Sequence, residues 1–194
     1  MTGNNAVQRV YQRVLLLVSR AVVSAVSDGS KMQSLQLNAL HGEVRDDVER
    51  FQNYGFTSVP HTGAEAVVVF PSGNREHGLV VVVDDRRYRL RSLSAGEVAL
   101  YSDEGDAVVL KRGRVVEITT NTLRVNALSK IELNAPTVEM NASTRVQANT
   151  PVFSSSGDVQ DQDGKTMSGM RTVFNGHSHS GDSGGTTGGP GGSM

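Results

Sequence analysis

The chain has 194 residues, of which 37% are hydrophobic and 5% aromatic, and its 19 basic and 20 acidic residues leave a formal net charge of −1. This balance argues against a nucleic-acid partner, because nucleic-acid binding proteins present a basic field. The absence of cysteine excludes disulfide scaffolds, cysteine-ligated metal centres and thiol nucleophiles. Any metal site must therefore use histidine, carboxylate or backbone ligands.

The N-terminal segment, residues 1–28, is predicted to form an amphipathic helix. Apolar residues recur there at alternating steps of three and four, so they share one stripe that must be buried against another surface. The members of this stripe are Val7, Val10, Val14, Leu17 and Ala21. The polar cluster around Gly29 ends the pattern. The apolar run at 14–18 is too short for a secretory signal or a membrane span.

Residues 29–107 are predicted to form a small β-barrel. Short apolar runs alternate there with turns rich in Gly, Asn and Asp, which is typical of compact antiparallel structures. The predicted strands lie at 31–40, 66–70, 79–83 and 88–91. A five- or six-stranded barrel of the OB type fits this length. The aromatic segment Tyr54–Pro60 is expected to form a bend that plugs the barrel.

Residues 108–173 contain a repeat of apolar pairs, each pair two residues apart. The pairs begin at positions 108, 116, 123, 131, 138, 146 and 153, and polar turn residues fill the gaps between them. A helical heptad recurs at a similar step, but the β-branched residues and Pro136 favour short strands.

Strands this short cannot bury a core within one chain, so the repeat is predicted to associate. Three copies would supply the three faces of an intertwined prism, in which the apolar residues meet at the axis. An obligate homotrimeric β-helix follows from this arrangement. A single-chain β-solenoid is the alternative, although a three-sided turn of a solenoid needs a longer repeat.

The tail, residues 174–194, has the Gly-rich composition of a disordered segment, apart from His177-Ser178-His179. In an extended strand, residues two apart point to the same side, so both imidazoles project together. On a threefold axis, three such pairs would supply six nitrogens. That set suits an octahedral site for a borderline divalent metal such as Fe, Ni, Co or Zn.

The order of helix, barrel, repeat and terminal His-x-His resembles the central spike proteins of contractile-tailed bacteriophages. The resemblance is to the Mu-like spikes of the baseplate assembly protein V family, and it covers nearly the whole chain. The segments that carry it are 42–44 (GEV), 53–60 (NYGFTSVP), 63–65 (GAE), 75–78 (REHG), 96–101 (GEVALY) and the tail after Asn175.

The resemblance implies a mainly β fold: an OB-fold collar below the tail tube and a trimeric β-helix that narrows to a metal-bound tip. It implies one Fe²⁺ ion per trimer, held by His177 and His179 of three chains. The expected partners are the baseplate hub and tail-tube proteins and the host outer membrane, which the spike punctures as the sheath contracts. The N-terminal helix would either bundle in the trimer or dock on the hub. The expected location is the baseplate tip of the virion, after synthesis in the host cytoplasm.

Calcium and chloride ions are further cofactors that the resemblance implies. The calcium candidates are Asp158, Asp161 and Asp163, which lie in one acidic segment before Gly164. The Asp-x-Asp-Gly sequence there matches half of an EF-hand loop and lacks its distal Glu, so a solvated turn is the alternative.

An enzyme is not expected. His41, His61 and His77 lie in separate segments and share no spacing with a carboxylate or serine that would define a catalytic triad. The sequence Gly181–Gly185 resembles the surroundings of a trypsin-like nucleophile, but the chain has room for one small barrel and not two. The acidic residues at 97–106 are explained by a turn rather than by glycoside hydrolysis.

A trimeric receptor-binding tail fibre or tailspike adhesin is the alternative function. Such a protein would share the trimer and the β-helix, but it should display aromatic or carboxylate-rich lateral surfaces for glycans. Residues 108–173 contain one aromatic residue, Phe153. This composition favours the spike.

Overall fold

The structure is a computed structural model that describes residues 3–40, 42–161 and 164–194, and it is mainly β. The chain divides into two compact units between Asn126 and Ala127. Its elements are α1 (Gly3–Leu15), β1 (Val18–Ser27), β2 (Ser34–Asn38), β3 (Val44–Arg50), β4 (Glu65–Val69), a 3₁₀ turn (Pro71–Gly73), β5 (Leu79–Asp84), β6 (Val98–Tyr101), β7 (Ala107–Lys111), β8 (Val115–Thr119) and α2 (Met167–Gly176). Neither helix of the described chain has the length and apolar character that a bilayer-spanning segment needs.

The predicted small barrel is confirmed as a closed, five-stranded barrel with the order β1-β2-β3-β5-β4. All of its strand pairs are antiparallel except β3 with β5, and β1 closes the barrel by pairing with both β2 and β4. Alternate strand residues point inward, as the two-residue period of a strand requires. The buried core is Ala21, Val23, Leu35, Leu37, Val48, Ala64, Ala66, Val68, Phe70 and Val80.

The prediction of a helix over 1–28 is wrong beyond Leu15, because residues 18–27 form strand β1. The Val- and Ser-rich sequence of this segment favours a strand, since β-branched and hydroxyl side chains lower helix propensity. The barrel also needs this segment, because Ala21 and Val23 are part of its core. Helix α1 lies against the 3₁₀ turn, where a Cβ on Gly73 would come 2.7 Å from the Arg13 carbonyl oxygen.

Two further expectations for the barrel region are wrong. The segment Tyr54–Pro60 does not plug the barrel, because Tyr54, Phe56 and Val59 are all exposed, and the buried aromatic ring is that of Phe70. Residues 88–91 form no strand. The fifth strand is instead β3, whose seven residues include five charged ones and which the sequence pattern did not predict.

The region that follows the barrel has a three-stranded antiparallel sheet with the order β6-β7-β8. The expected boundary at 107/108 therefore falls inside this sheet, at the start of β7. From residue 120 to residue 159 the backbone contains no helix or strand. Helix α2 crosses the expected boundary at 173/174, so residues 167–173 are helical rather than part of a β-helix.

Candidate metal centre

Helix α2 fixes the start of the His-x-His segment. The hydroxyl of Thr166 caps the helix by accepting a hydrogen bond from the Gly169 N–H at 3.0 Å. The Asp158 carboxylate accepts the Ser168 N–H at 3.2 Å and the Ser168 hydroxyl as well. These hydrogen bonds from Ser168 hold the pKa of Asp158 below its usual range. The helix then ends at Gly176, so His177 is the first residue beyond it.

The two imidazoles of the pair lie next to each other. The ring centroids of His177 and His179 are 5.2 Å apart and the ring planes are perpendicular. Nδ1 of His177 lies 2.5 Å from the carbonyl oxygen of Phe174. A carbonyl oxygen only accepts hydrogen bonds, so Nδ1 is the donor of this hydrogen bond. In the neutral ring, Nε2 then keeps the lone pair that can bind a metal. Histidine ligands of metals are commonly oriented by such a hydrogen bond from the other ring nitrogen.

The backbone of His179 is fixed by the Gly-rich tail, which folds back as a hairpin. The His179 N–H donates to the Thr187 hydroxyl at 2.9 Å, and the Thr187 N–H donates to the His179 carbonyl at 2.8 Å. An isolated β-bridge joins Ser180 and Thr186. The Gly-rich composition that predicts disorder therefore also provides a tight turn.

The donor set fits a borderline divalent metal but is incomplete in one chain. Imidazole nitrogen suits iron, nickel, copper and zinc. Both rings are exposed, and the pair supplies two donors. In the part of the chain that the structure describes, no group of three or more His, Asp or Glu side chains is placed to hold a metal ion. One described chain therefore supplies an incomplete ligand set.

The structure describes two of the three Asp residues predicted to bind calcium. The Asp158 carboxylate is engaged at the start of α2, as described above. The Asp161 backbone N–H donates to the Lys165 carbonyl at 2.7 Å, within a hairpin that joins Gln160 and Thr166. Asp163 lies outside the described residues. The calcium site stays a prediction.

The apolar repeat is a second candidate functional element, because its side chains are unburied in a single chain. Nine such residues between 116 and 153 are 51–67% exposed, and Phe153 is 79% exposed. The nine are Val116, Ile118, Leu123, Val125, Ile131, Leu133, Val138, Met140 and Val146. An apolar surface of this extent marks an interaction site.

His41, His61 and His77 lie far from this tip in the sequence, and His41 is outside the described residues. His61 does meet a carboxylate, since its Nε2 lies 3.0 Å from Oδ2 of Asp103, and its ring packs on Tyr88. Sequence spacing did not indicate this pair, because 42 positions separate the two residues. It joins the loop before β4 to the turn between β6 and β7, which is a structural role.

Comparison with known proteins identifies the family of a chain that carries this barrel and this terminal histidine pair. Residues 20–87, which include most of β1 and all of β2–β5, match the family model "Bacteriophage Mu Gp45, N-terminal". The chain is 38% identical over 201 residues to the "Baseplate puncturing device gp45" of Escherichia phage Mu, covering 95% of this chain and 94% of that protein. It is 51% identical over 102 residues to the "Mu-like prophage FluMu protein gp45" of Haemophilus influenzae, covering 53% of this chain and 56% of that protein.

The chain therefore belongs to the Mu gp45 family. The resemblance to Mu-like central spikes, which the sequence motifs carry, is confirmed by these matches.

Proposed function

We propose that this protein is the central spike at the tip of a contractile phage tail baseplate and that it punctures the host outer membrane when the sheath contracts. The support is the match over 95% of the chain to a relative named as a baseplate puncturing device. The proposed role is mechanical and not enzymatic. Its location is the virion tail, after synthesis in the host cytoplasm.

The observation that carries the proposal is the exposed apolar repeat. Its apolar members listed above, from Val116 to Phe153, are more than half exposed in a single chain, and burying them requires other chains. Three copies wound around one axis would bury all of them at once, as an intertwined β-helix. We therefore propose a homotrimer.

This trimer suits a part that transmits axial force. Pairing between chains satisfies the backbone groups of each short strand and leaves no free sheet edge along the rod. A repeat whose units support one another also resists local opening. The barrel would form a collar, and its five-stranded order with one parallel pair supports the OB type. Hub and tail-tube proteins are the proposed partners at that end.

The tip is proposed to hold one iron ion per trimer. His177 and His179 of three chains would be the ligands, with Nε2 of His177 free to bind as described. The ion would supply coordination bonds that join three chain ends, and a full set of imidazoles leaves no open position for substrate or water. Joining the ends suppresses fraying, which starts at chain termini. Calcium and chloride are proposed as further ions along the spike.

Labelling of whole particles tests the proposed function. Fab fragments raised against residues 180–194 should bind at one position per particle, on the tail axis beyond the baseplate, in electron micrographs. The same Fab should leave attachment to cells unchanged and reduce entry of a dye that an intact outer membrane excludes. Labels at several lateral positions, with loss of attachment, would instead support a receptor-binding fibre.

A further inference from the structure

Helix α2 presents an apolar face that has no partner within the described chain. Met167, Met170, Val173 and Phe174 lie on one side of the helix and are 36–72% exposed. The opposite side is polar, and there the Thr172 hydroxyl donates to the Ser168 carbonyl at 3.0 Å. A ten-residue helix is too short to be stable alone and requires packing of its apolar face.

The same face lines an open groove. Met167, Met170 and Val173 form one wall and Val159 contributes to the other, around a volume of about 640 Å³. The far side of the groove is the hairpin in which Gln160 pairs with Thr166. Among the described residues, no side chain of the protein itself fills this space enough to bury these walls.

The apolar face is continuous with the candidate metal site. Phe174 ends the apolar face, its ring centroid lies 5.4 Å from that of His177, and its carbonyl accepts the Nδ1 proton of that histidine. A metal bound about 2.1 Å from a ring nitrogen of His177 would lie within about 9 Å of the Phe174 ring. Three histidine pairs that meet at one ion therefore bring three α2 C-termini together.

We propose that the α2 face is covered by α2 of the other two copies. Three parallel helices would then form a helical collar, distinct from the barrel collar, around the threefold axis and next to the metal site. This inference rests on the proposed trimer and its shared metal site. Contacting helices lie about 8–10 Å apart, which agrees with the placement of Phe174 near the ion. Methionine and phenylalanine side chains pack favourably in such a core.

The helical collar would also bring the C-terminal ends of the three α2 helices close to the positive charge of the ion. The C-terminus of a helix carries partial negative charge, and three parallel C-termini would repel one another. A divalent cation held by the adjacent histidines would offset this repulsion. Collar and metal would thus stabilise each other, and the Phe174 carbonyl would orient the ring of His177 through its hydrogen bond.

Cross-linking tests the collar, because the chain contains no cysteine. Met170→Cys places one thiol on the apolar face, and Thr172→Cys places one on the opposite side of the same helix. Full-length variants, confirmed as metal-bound trimers by light scattering and elemental analysis, are treated at low concentration with a short bis-maleimide. We expect covalent pairs of chains for Met170→Cys and single chains only for Thr172→Cys.

The outcomes separate the collar from the proposed function. Metal-bound trimers in which Met170→Cys gives no cross-link, or in which both variants cross-link equally, would overturn the collar and leave the spike intact. A monomeric wild-type protein would overturn both proposals. Met167→Cys lies one turn earlier on the same face and repeats the test if Met170→Cys fails to assemble.

Discussion

The barrel and the repeat differ in whether a single chain can bury their apolar side chains. The barrel closes on itself, and its inward residues, such as Val68 and Val80, are fully buried within one chain. The repeat between residues 120 and 159 has no strand in one chain and leaves its apolar residues exposed. The difference teaches that the barrel is complete within one chain, and it supports the proposal that the repeat folds only in an assembly.

The largest expected effect is loss of the trimer when a charge is placed in the repeat. Ile131→Asp would put three carboxylates around the proposed axis, and an unpaired buried charge costs several kcal/mol for each ion. We expect the mass measured by light scattering to fall from three chains to one while the barrel stays folded. Asn134→Asp adds the same charge in a turn and should remain trimeric. Trimers of the Ile131→Asp variant would contradict the proposed axis.

A cavity in the core of the barrel should destabilise the barrel. Phe70 is 1% exposed, so Phe70→Ala removes a large buried ring and should lower the free energy of unfolding of the barrel by about 3–5 kcal/mol. Denaturant unfolding followed by circular dichroism measures this change. The exposed ring of Phe56 is the control, and its replacement by Ala should change stability by less than about 0.5 kcal/mol. Equal losses in both variants would mean that Phe70 is not the core ring.

Acid should weaken the barrel through an ion pair. Hydrogen bonds from Arg75, and then from Arg45, lower the pKa of Glu43 from 4.5 to about 2. A lowered folded-state pKa stabilises the fold above pH 4.5, and this contribution is lost as the pH falls from there towards 2. The ion pair is partly solvated, so screening reduces the contribution to about 1–2 kcal/mol. Urea unfolding between pH 6 and pH 2 should show the loss.

The variant Glu43→Gln isolates this contribution. It should be less stable at neutral pH and lose less stability in acid than the wild type. Some acid dependence should remain, because a hydrogen bond from Arg87 lowers the pKa of Asp85 to about 2 as well. An unchanged acid dependence in Glu43→Gln would show that other carboxylates control it.

Removal of the histidine pair should have the smallest effect on the assembly. His177→Ala combined with His179→Ala should leave a trimer without bound metal, because the repeat and not the tip holds the chains together. Hydrogen–deuterium exchange should become faster at residues 177–187. His61→Ala is the control and should retain the metal. A tip that exchanges as slowly without the pair as with it would contradict the role of the ion.

The sequence predicts best where local pattern and burial coincide. Strands β4 and β5 follow from uninterrupted runs of valine, and both were expected. Strand β3 was missed because its buried residue Val48 stands among charges, and its pairing with β2 and β5 depends on distant parts of the chain. The apolar spacing of residues 18–27 continues that of α1, so the sequence pattern predicts a helix there.

The sequence predicts candidate ligands but not the backbone that supports them. The spacing of His177 and His179 indicates a shared side, and the two rings lie next to each other in the structure. Helix α2 and the hydrogen bond from His177 to Phe174 were not expected, since ten residues give a weak periodic signal. The capping sequence that begins at Thr166 was the available clue.

Elemental analysis of untagged protein, on a sample whose mass is fixed by light scattering, tests the central claim most directly. The account predicts a mass of three chains with one iron ion for every three. A monomer that holds metal, or a trimer that holds none, would contradict the shared histidine tip.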